Sequence, residues 1–225
     1  VMGENPSRFQ NPTHPVENVS WCDCVVFCNK LSTLHGLEPA YIVPKSTENS
    51  WTWSSAVRIN PRANGYRLPT ESEWEKAGRG GVAGMTFANS NTLDSKFAHY
   101  DQDTIIRDLR PVGSLEPNGY GLYDMNGNAW EMCWDWHWKN WYFQPGASAT
   151  DPKGPDMSDP AISARVDAEN WLLRTVRGGS GNSDKTRMRI SYRKDFNKTW
   201  YQYAITVRPV VPAPSDPRAE VVVSL

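Results

Sequence analysis

The sequence contains few cysteines, no long apolar run and almost no net charge. It has 4 Cys among 225 residues, and none form a Cys-x-x-Cys pair, which excludes a disulfide-stapled scaffold. No stretch reaches the roughly 18 consecutive apolar residues of a membrane-spanning helix, so we predict no membrane span. Because 24 Lys+Arg balance 25 Asp+Glu, the strongly basic composition of a nucleic-acid-binding domain is absent and we predict no nucleic-acid partner.

Large aromatic side chains, glycine and proline are abundant instead. The chain has 11 Trp, 9 Tyr, 16 Gly and 17 Pro, a composition typical of a loop-rich domain packed around flat side chains. Trp134, Trp136 and Trp138 alternate along the chain. We expect them to share one side of an extended strand and to lie mostly in the core.

Two helices are predicted from their start signals. Ser20 and Asp23 form a capping-box pattern before an apolar run, which predicts a helix of about four turns. Thr70 and Glu73 repeat the pattern, and this second helix should stop at Gly78 and the glycines after it. We expect these to be the two main helices of the domain.

The rest of the chain reads as short strands between loops. Strands are predicted at 174–177, 187–193 and 204–211, and residues 151–167 are interpreted as a surface insertion rich in Pro, Asp and Ser. Residues 212–225 are expected to be a tail. The predicted class is therefore α+β with little regular secondary structure.

Three of the four cysteines lie in the first predicted helix. Cys24 and Cys28 share a helical face, whereas Cys22 does not. Buried free thiols are favoured. The alternative is a metal site completed by Cys133 or a histidine from elsewhere in the chain.

Three glutamates in the second predicted helix, Glu71, Glu73 and Glu75, could suggest carboxylate chemistry. They are two residues apart, so they do not form the facing pair that a glycosidase requires. We expect them to serve in helix capping and solvation.

Four longer motifs occur in order along the chain. They read PVENVSW at 15–21, YRLPTESEWE at 66–75, NGYGLYDMNGNAWE at 118–131 and VRGGS at 176–180. Together they resemble the formylglycine-generating enzyme (sulfatase-modifying factor) family. The resemblance implies one domain over 1–211 with a C-type-lectin-like fold of formylglycine-generating-enzyme type. It also implies that family sequence precedes Val1.

The resemblance bears on catalysis as well. Enzymes of the family oxidise a peptidyl cysteine with a pair of active-site cysteines that follow the Arg-Gly-Gly-Ser motif. Here no Cys occurs from Arg177 to Leu225, and Ser183 falls about where the first of the pair would be. A hydroxyl does not replace a thiolate as a redox group or soft metal ligand. We therefore predict no catalytic residues and a chain that is not an enzyme.

A structural calcium ion is implied by the motif at 118–131. In the family this segment wraps calcium, and here Asp124 and Glu131 would supply carboxylate oxygens while Gly127 and Ala129 supply carbonyls. The alternative is that Asn126-Gly127 is a simple turn and that Glu131 pairs with an arginine.

The C-terminal segment 177–208 is predicted to carry the binding function. Residues 174–208 contain nine Lys and Arg against two Asp, an excess of +7, interleaved with aromatic residues as in antibody-type binding surfaces. Four arginines match positions of the family framework: Arg177, Arg189, Arg193 and Arg208. The residues left as candidate ligand contacts are Gly181, Ser183, Asp184, Lys185, Thr186, Asp195, Phe196, Asn197, Thr199, Trp200, Tyr201 and Tyr203.

A scaffold that has lost the cysteine pair resembles one subgroup of the family, the variable proteins diversified by retroelements. The resemblance implies a receptor-like, non-enzymatic domain whose C-terminal face binds a protein or glycan, with a cell-surface or extracellular location favoured. In this subgroup the retroelement changes adenines in the codons of the C-terminal segment. Such changes cannot turn an Asn codon that ends in a pyrimidine into a Trp codon, so Trp200 departs from this pattern of variation. The alternatives are an oxidoreductase or accessory protein of the family, or a sensor module.

Overall fold

The two predicted helices are present with the caps that the sequence indicates. A computed structural model describes residues 1–44, 55–100, 109–164, 173–197 and 204–212. Helix α1 spans Trp21–Leu34 and helix α2 spans Glu71–Gly78. In each helix the cap hydroxyl accepts the N3 amide hydrogen and the N3 carboxylate accepts the cap amide hydrogen, a complete capping box.

The described residues also form three 3₁₀ helices, Trp141–Phe143, Pro145–Ser148 and Lys185–Met188, and eight short strands. The strands are β1 Tyr41–Ile42, β2 Arg58–Ile59, β3 Ala98–His99, β4 Asn126–Gly127, β5 Trp130–Trp136, β6 Leu173–Arg177, β7 Lys194–Asn197 and β8 Ile205–Thr206. The main sheet has the order β7-β6-β5-β8, in which β8 runs parallel to β5 and the other pairs are antiparallel. The remaining strands pair as β1-β2 and β3-β4, so the fold is α+β with little regular secondary structure.

The strand predictions meet mixed outcomes. The strand at 174–177 is confirmed as β6. The strand predicted at 187–193 is wrong: Lys185–Met188 is a 3₁₀ helix, because the Asp184 carboxylate accepts the amide hydrogens of the next turn. The strand predicted at 204–211 is shortened to β8 and an isolated bridge between Arg67 and Val210.

The core lies between α1 and the main sheet. Trp21, Cys24, Val25 and Cys28 point inward from α1, and side chains of β5, β6 and β8 meet them. The prediction of buried thiols is confirmed for Cys24, Cys28 and Cys133, whereas Cys22 is half-buried. Burial raises the pKa of the Cys28 thiol to about 12, so this group is inert near neutral pH.

The tryptophan run is split between two clusters. Trp136 packs on the buried Arg174, whose guanidinium carbon lies 3.5 Å from that ring centroid and 3.7 Å from the Trp21 ring. Trp138 lies beyond β5, where it packs with Trp141 in a separate cluster. The strand pairing shifts register between Met132 and Trp136, so simple alternation wrongly placed Trp138 with the others. The expected burial is confirmed for Trp136 and Trp138, whereas Trp134 is half-buried.

The described residues contain no helix with the length and apolar character of a membrane span.

Candidate binding face

Two glycines turn the chain from β6 into the predicted binding segment. Gly178 and Gly179 have φ of +94° and +82°, a region that side-chain-bearing residues rarely adopt. A Cβ on Gly178 would lie 3.1 Å from the Trp74 ring, and one on Gly179 would lie 2.1 Å from Cε of Met188. The turn therefore packs directly on α2, and the following residues start from a fixed position.

Arg177 anchors the start of this segment. Its side chain is fully buried, and Nη1 donates to the carbonyl of Tyr192 at 2.6 Å. The guanidinium also forms ion pairs with Glu75 and, through Nε at 3.7 Å, with Glu71. A buried charge is tolerated when it is paired and hydrogen-bonded in this way.

Arg193 and Arg208 fasten the segment further along. Arg193 Nη2 donates to Glu71 at 2.8 Å, and Nη1 donates to the Trp138 carbonyl at 2.9 Å. Arg208 binds both carboxylate oxygens of Glu131, at 2.6 and 2.8 Å. These arginines belong to the framework, as the sequence predicts.

The expectation that the α2 glutamates serve capping and solvation is right for one of them and wrong for two. Glu73 closes the capping box and pairs with Arg67 at 2.6 Å. Glu71 is completely buried and Glu75 is three-quarters buried. Both carboxylates pair with the buried Arg177, and this pairing offsets the cost of removing the charges from water. Both therefore tie α2 to the C-terminal segment. Glu71 and Glu75 are four positions apart and share a helical face, so the expectation that no two of these glutamates form a facing pair is wrong.

Arg189 differs from the other framework arginines. It is exposed, and its Nε donates to the carbonyl of Thr186 at 3.1 Å, a bond within the same turn. Among the described residues, Arg189 does not link distant segments of the chain, so the framework role predicted for it is not seen.

Asp135 is a buried acid that sequence reasoning missed. Its Oδ2 accepts the amide hydrogen of Glu71 at 2.7 Å, at the start of α2. Burial, followed by the nearby Glu71 carboxylate, raises the pKa of Asp135 to about 8. The available signal was a second acid, beside Glu131, inside the largely apolar Trp130–Trp136 strand.

Three of the predicted contact residues are buried, which corrects their assignment as contacts. Phe196 is 3% exposed and packs in the main core, since β7 turns this side chain toward α1 and the sheet interior. Ser183 is 2% exposed, and its Oγ accepts the amide hydrogen of Ser180 at 3.1 Å. Gly181 is buried and donates its amide hydrogen to Asn128 at 3.0 Å.

Other predicted contacts do face outward, in two places. Asp184, Lys185 and Thr186 form an exposed turn, in which Asp184 accepts the Thr186 amide hydrogen at 2.8 Å. On the edge strand β7, Asp195 is exposed and Asn197 is half-buried. Four further predicted contacts lie outside the described residues: Thr199, Trp200, Tyr201 and Tyr203.

Glu131, one of the implied calcium ligands, is already bound by Arg208. Oε2 of Glu131 accepts from Trp74 at 2.7 Å in addition to Arg208, so both carboxylate oxygens already have donors. Asp124 accepts the Gly113 amide hydrogen at 2.8 Å, and burial raises the pKa of its carboxyl. Because Arg208 neutralises Glu131, a calcium ion would have to compete with this ion pair.

The alternative for this motif is right in one part and wrong in the other: Glu131 pairs with an arginine, but Asn126-Gly127 is strand β4 and not a simple turn, because it pairs with β3. Gly127 and Ala129, the proposed carbonyl ligands, are both buried beside Glu131. Within the described ranges, no three His, Cys, Asp or Glu side chains converge as a metal site. A calcium ion held by Asp124, Gly127, Ala129 and Glu131 remains a prediction.

The capped helices, the four-stranded sheet and the arginine-bound loops together define a C-type-lectin-like domain of formylglycine-generating-enzyme type. Residues 2–212 match the sulfatase-modifying factor enzyme 1-like domain. The chain belongs to this family.

Comparison with individual proteins agrees with the family. The chaperone protein LppX of Paenibacillus barcinonensis is 39% identical over 165 residues, covering 61% of this chain and 57% of that protein. The formylglycine-generating enzyme of Bos taurus is 33% identical over 166 residues, covering 68% of this chain and 34% of that enzyme. The chain thus spans about a third to somewhat over half of the length of these relatives.

A solved structure similar to this chain is variable protein 1 of Treponema denticola. The TM-score is 0.75 at 28% identity, and the match covers 93% of this chain and 78% of that one. The suspected subgroup of variable proteins is therefore represented among its structural neighbours.

Proposed function

We propose that this chain is a non-enzymatic, receptor-like binding domain that presents its C-terminal segment to a protein or glycan ligand. The observation that carries the proposal is the exposed turn Asp184, Lys185 and Thr186 on a rigid frame. Immediately before the turn, Arg177 and Ser180 are buried and bonded, and after it Arg193 is tied to α2. Fixed anchors on both sides allow the turn residues to change without disturbing the fold.

The chemistry of the segment also supports a binding role. The chain has no Cys after Cys133, so the thiol pair used by family enzymes is missing from the sequence. Where the first of that pair would fall, Ser183 is buried and bonded to Ser180. A buried hydroxyl engaged in this way has no activated nucleophile character.

The similarity to Treponema denticola variable protein 1 favours diversification of this segment. We infer that a retroelement varies exposed positions such as Lys185, Thr186 and Asp195 while the buried arginines stay fixed. Trp200 would then belong to the starting sequence rather than to the adenine-directed changes.

Sequencing the coding locus in many isolates tests this proposal. We expect substitutions to concentrate in the exposed codons at 184–186 and 195 and in the codons at 197–203, beside a reverse-transcriptase gene and a near-copy of the segment. The codons of Gly178, Gly179 and Arg193 serve as the internal control and should stay constant. A segment that varies no more than α1 would overturn the diversification.

An accessory role is the second candidate, because LppX, a relative at 39% identity, is named as a chaperone protein. A chaperone of that kind would hold one partner rather than a varied set. Affinity purification from the native organism, followed by mass spectrometry, distinguishes the two. One partner recovered in fixed stoichiometry from every isolate favours the accessory role.

The oxidoreductase alternative has a separate test. Metal analysis of the protein purified without chelators should find copper and iron well below one equivalent. A redox metal at full occupancy would favour the enzyme and contradict the binding role.

A further inference from the structure

A pocket lies beside α2, and the exposed turn at 184–186 does not line it. Its volume is about 420 Å³, within the range of small-molecule sites. Glu75, Lys76 and Arg79 of α2 line it together with Val82, Tyr120 and Tyr142. None of these residues lies in the exposed turn or in β7.

Two tyrosines give the pocket flat walls that are held in place. Tyr120 is 54% exposed and Tyr142 is 46% exposed. The Tyr120 ring packs so closely on Gly81 that a Cβ there would lie 3.0 Å from it. The guanidinium carbon of Arg193 lies 4.8 Å from the centroid of the Tyr142 ring. Half-exposed, restrained rings of this kind offer stacking surface at little entropic cost.

The charges around the pocket are positive in sum. Arg79 is oriented by Glu75, at 3.1 and 2.6 Å, and by the Met85 carbonyl at 3.1 Å. Among the charged residues that line the pocket, Glu75 compensates Arg79, which leaves one positive charge in the lining.

Lys76 carries this remaining positive charge of the pocket. It is exposed, and it forms no ion pair with any described residue. The local excess therefore favours an anionic ligand.

We propose that this pocket binds a sugar ring that carries a carboxylate. The ring would stack on Tyr142 or Tyr120, its carboxylate would face Lys76 and Arg79, and its hydroxyls would bond to the polar edge of α2. The combination of aromatic walls and a positive rim fits this class better than a neutral sugar or a purely apolar ligand. The site is independent of the role proposed for the exposed turn.

Isothermal titration calorimetry with digalacturonic acid tests the proposal, with the neutral galactose disaccharide as the matched ligand. We expect saturable binding of the acid at millimolar concentration or below, and at least about tenfold weaker binding of the neutral sugar, because the carboxylate is bound by two cations. Equal binding of both sugars, or no binding of the acid, overturns the proposal.

Matched variants locate the site. Lys76→Gln should weaken acid binding about three- to tenfold, whereas Lys30→Gln, an exposed lysine on α1, should leave it unchanged. Tyr142→Leu should weaken binding about fivefold or more through lost stacking. Thermal melting checks that each variant folds. An equal loss from both lysine variants would show non-specific charge attraction and contradict the pocket.

Discussion

Two kinds of basic residue alternate in the C-terminal segment and do different work. Arg177 and Arg193 are buried or nearly so and bind carboxylates of α2, whereas Lys185 and Arg189, only a few residues away, are exposed. The first kind holds the segment against the domain. The second kind forms its outer surface.

This contrast determines how much of the excess of basic residues at 174–208 lies on the surface. Of the nine basic residues at 174–208, four are used inside the molecule: Arg174, Arg177, Arg193 and Arg208. Arg187 is compensated by Asp184 at 3.4 Å. The surface is therefore much less basic than the composition indicates, and the exposed turn is a mixed polar surface rather than a cationic patch.

We expect the largest difference in stability between buried and exposed basic residues for the variant Arg177→Gln. The variant leaves the Glu71 and Glu75 carboxylates without their buried partner, so the free energy of unfolding should fall by about 3–5 kcal/mol. Arg189→Gln is the control, and it should change stability by no more than about 0.5 kcal/mol. Urea unfolding of both variants measures the difference. A loss below about 1 kcal/mol for Arg177→Gln would contradict an anchoring role.

Phe196 and Asp195, adjacent residues of β7, provide a second comparison between a buried and an exposed side chain. Phe196→Ala should cost about 3 kcal/mol because it opens a cavity in the main core. Asp195→Ala, whose side chain is exposed, should be nearly neutral in stability. The same denaturant titrations apply. Equal losses would mean that the inward and outward assignments along this strand are wrong.

A pH-dependent difference is expected from the buried Asp135. Its pKa of about 8 in the folded protein lies well above the ordinary value of 3.8, so folding takes up a proton between these values. The free energy of unfolding should therefore decrease as pH rises from about 4 to about 8. Asp135→Asn removes this dependence and should be the more stable protein at pH 8, by up to a few kcal/mol.

Urea unfolding at a series of pH values checks this prediction for Asp135. The wild type and Asp135→Asn should converge as pH falls to about 4, the ordinary pKa of the carboxyl. Parallel profiles over the whole range would show that Asp135 is ionised in the folded protein.

The smallest of these effects concerns the cap of α2. Thr70→Ala removes the hydroxyl that accepts the Glu73 amide hydrogen, and we expect a loss of about 1 kcal/mol. Thr33→Ala, an exposed position within α1, provides the matched substitution and should not destabilise, since Ala is the better helix former. Thermal melting resolves the two. A similar loss in both would point to a general effect of removing threonine.

Local signals account for what the sequence predicted correctly. Both capping boxes join residues three positions apart, so Ser20, Asp23, Thr70 and Glu73 were sufficient to place two helices. The strand at 174–177 followed from its β-branched pattern. The 3₁₀ turn after Asp184 was missed because an aspartate that accepts two nearby amide hydrogens closes a turn inside an apparently alternating stretch.

The sequence by itself determined the family, the two main helices and the loss of the cysteine pair, because each depends on residues close together in the chain. Only the tertiary structure decided which charges are internal. Arg193 meets Glu71 across 122 positions and Arg177 meets Glu75 across 102, and no local pattern indicates such partners. Burial raises the energetic cost of an unpaired charge, so the fold selects arginine–carboxylate pairs that chain order does not reveal.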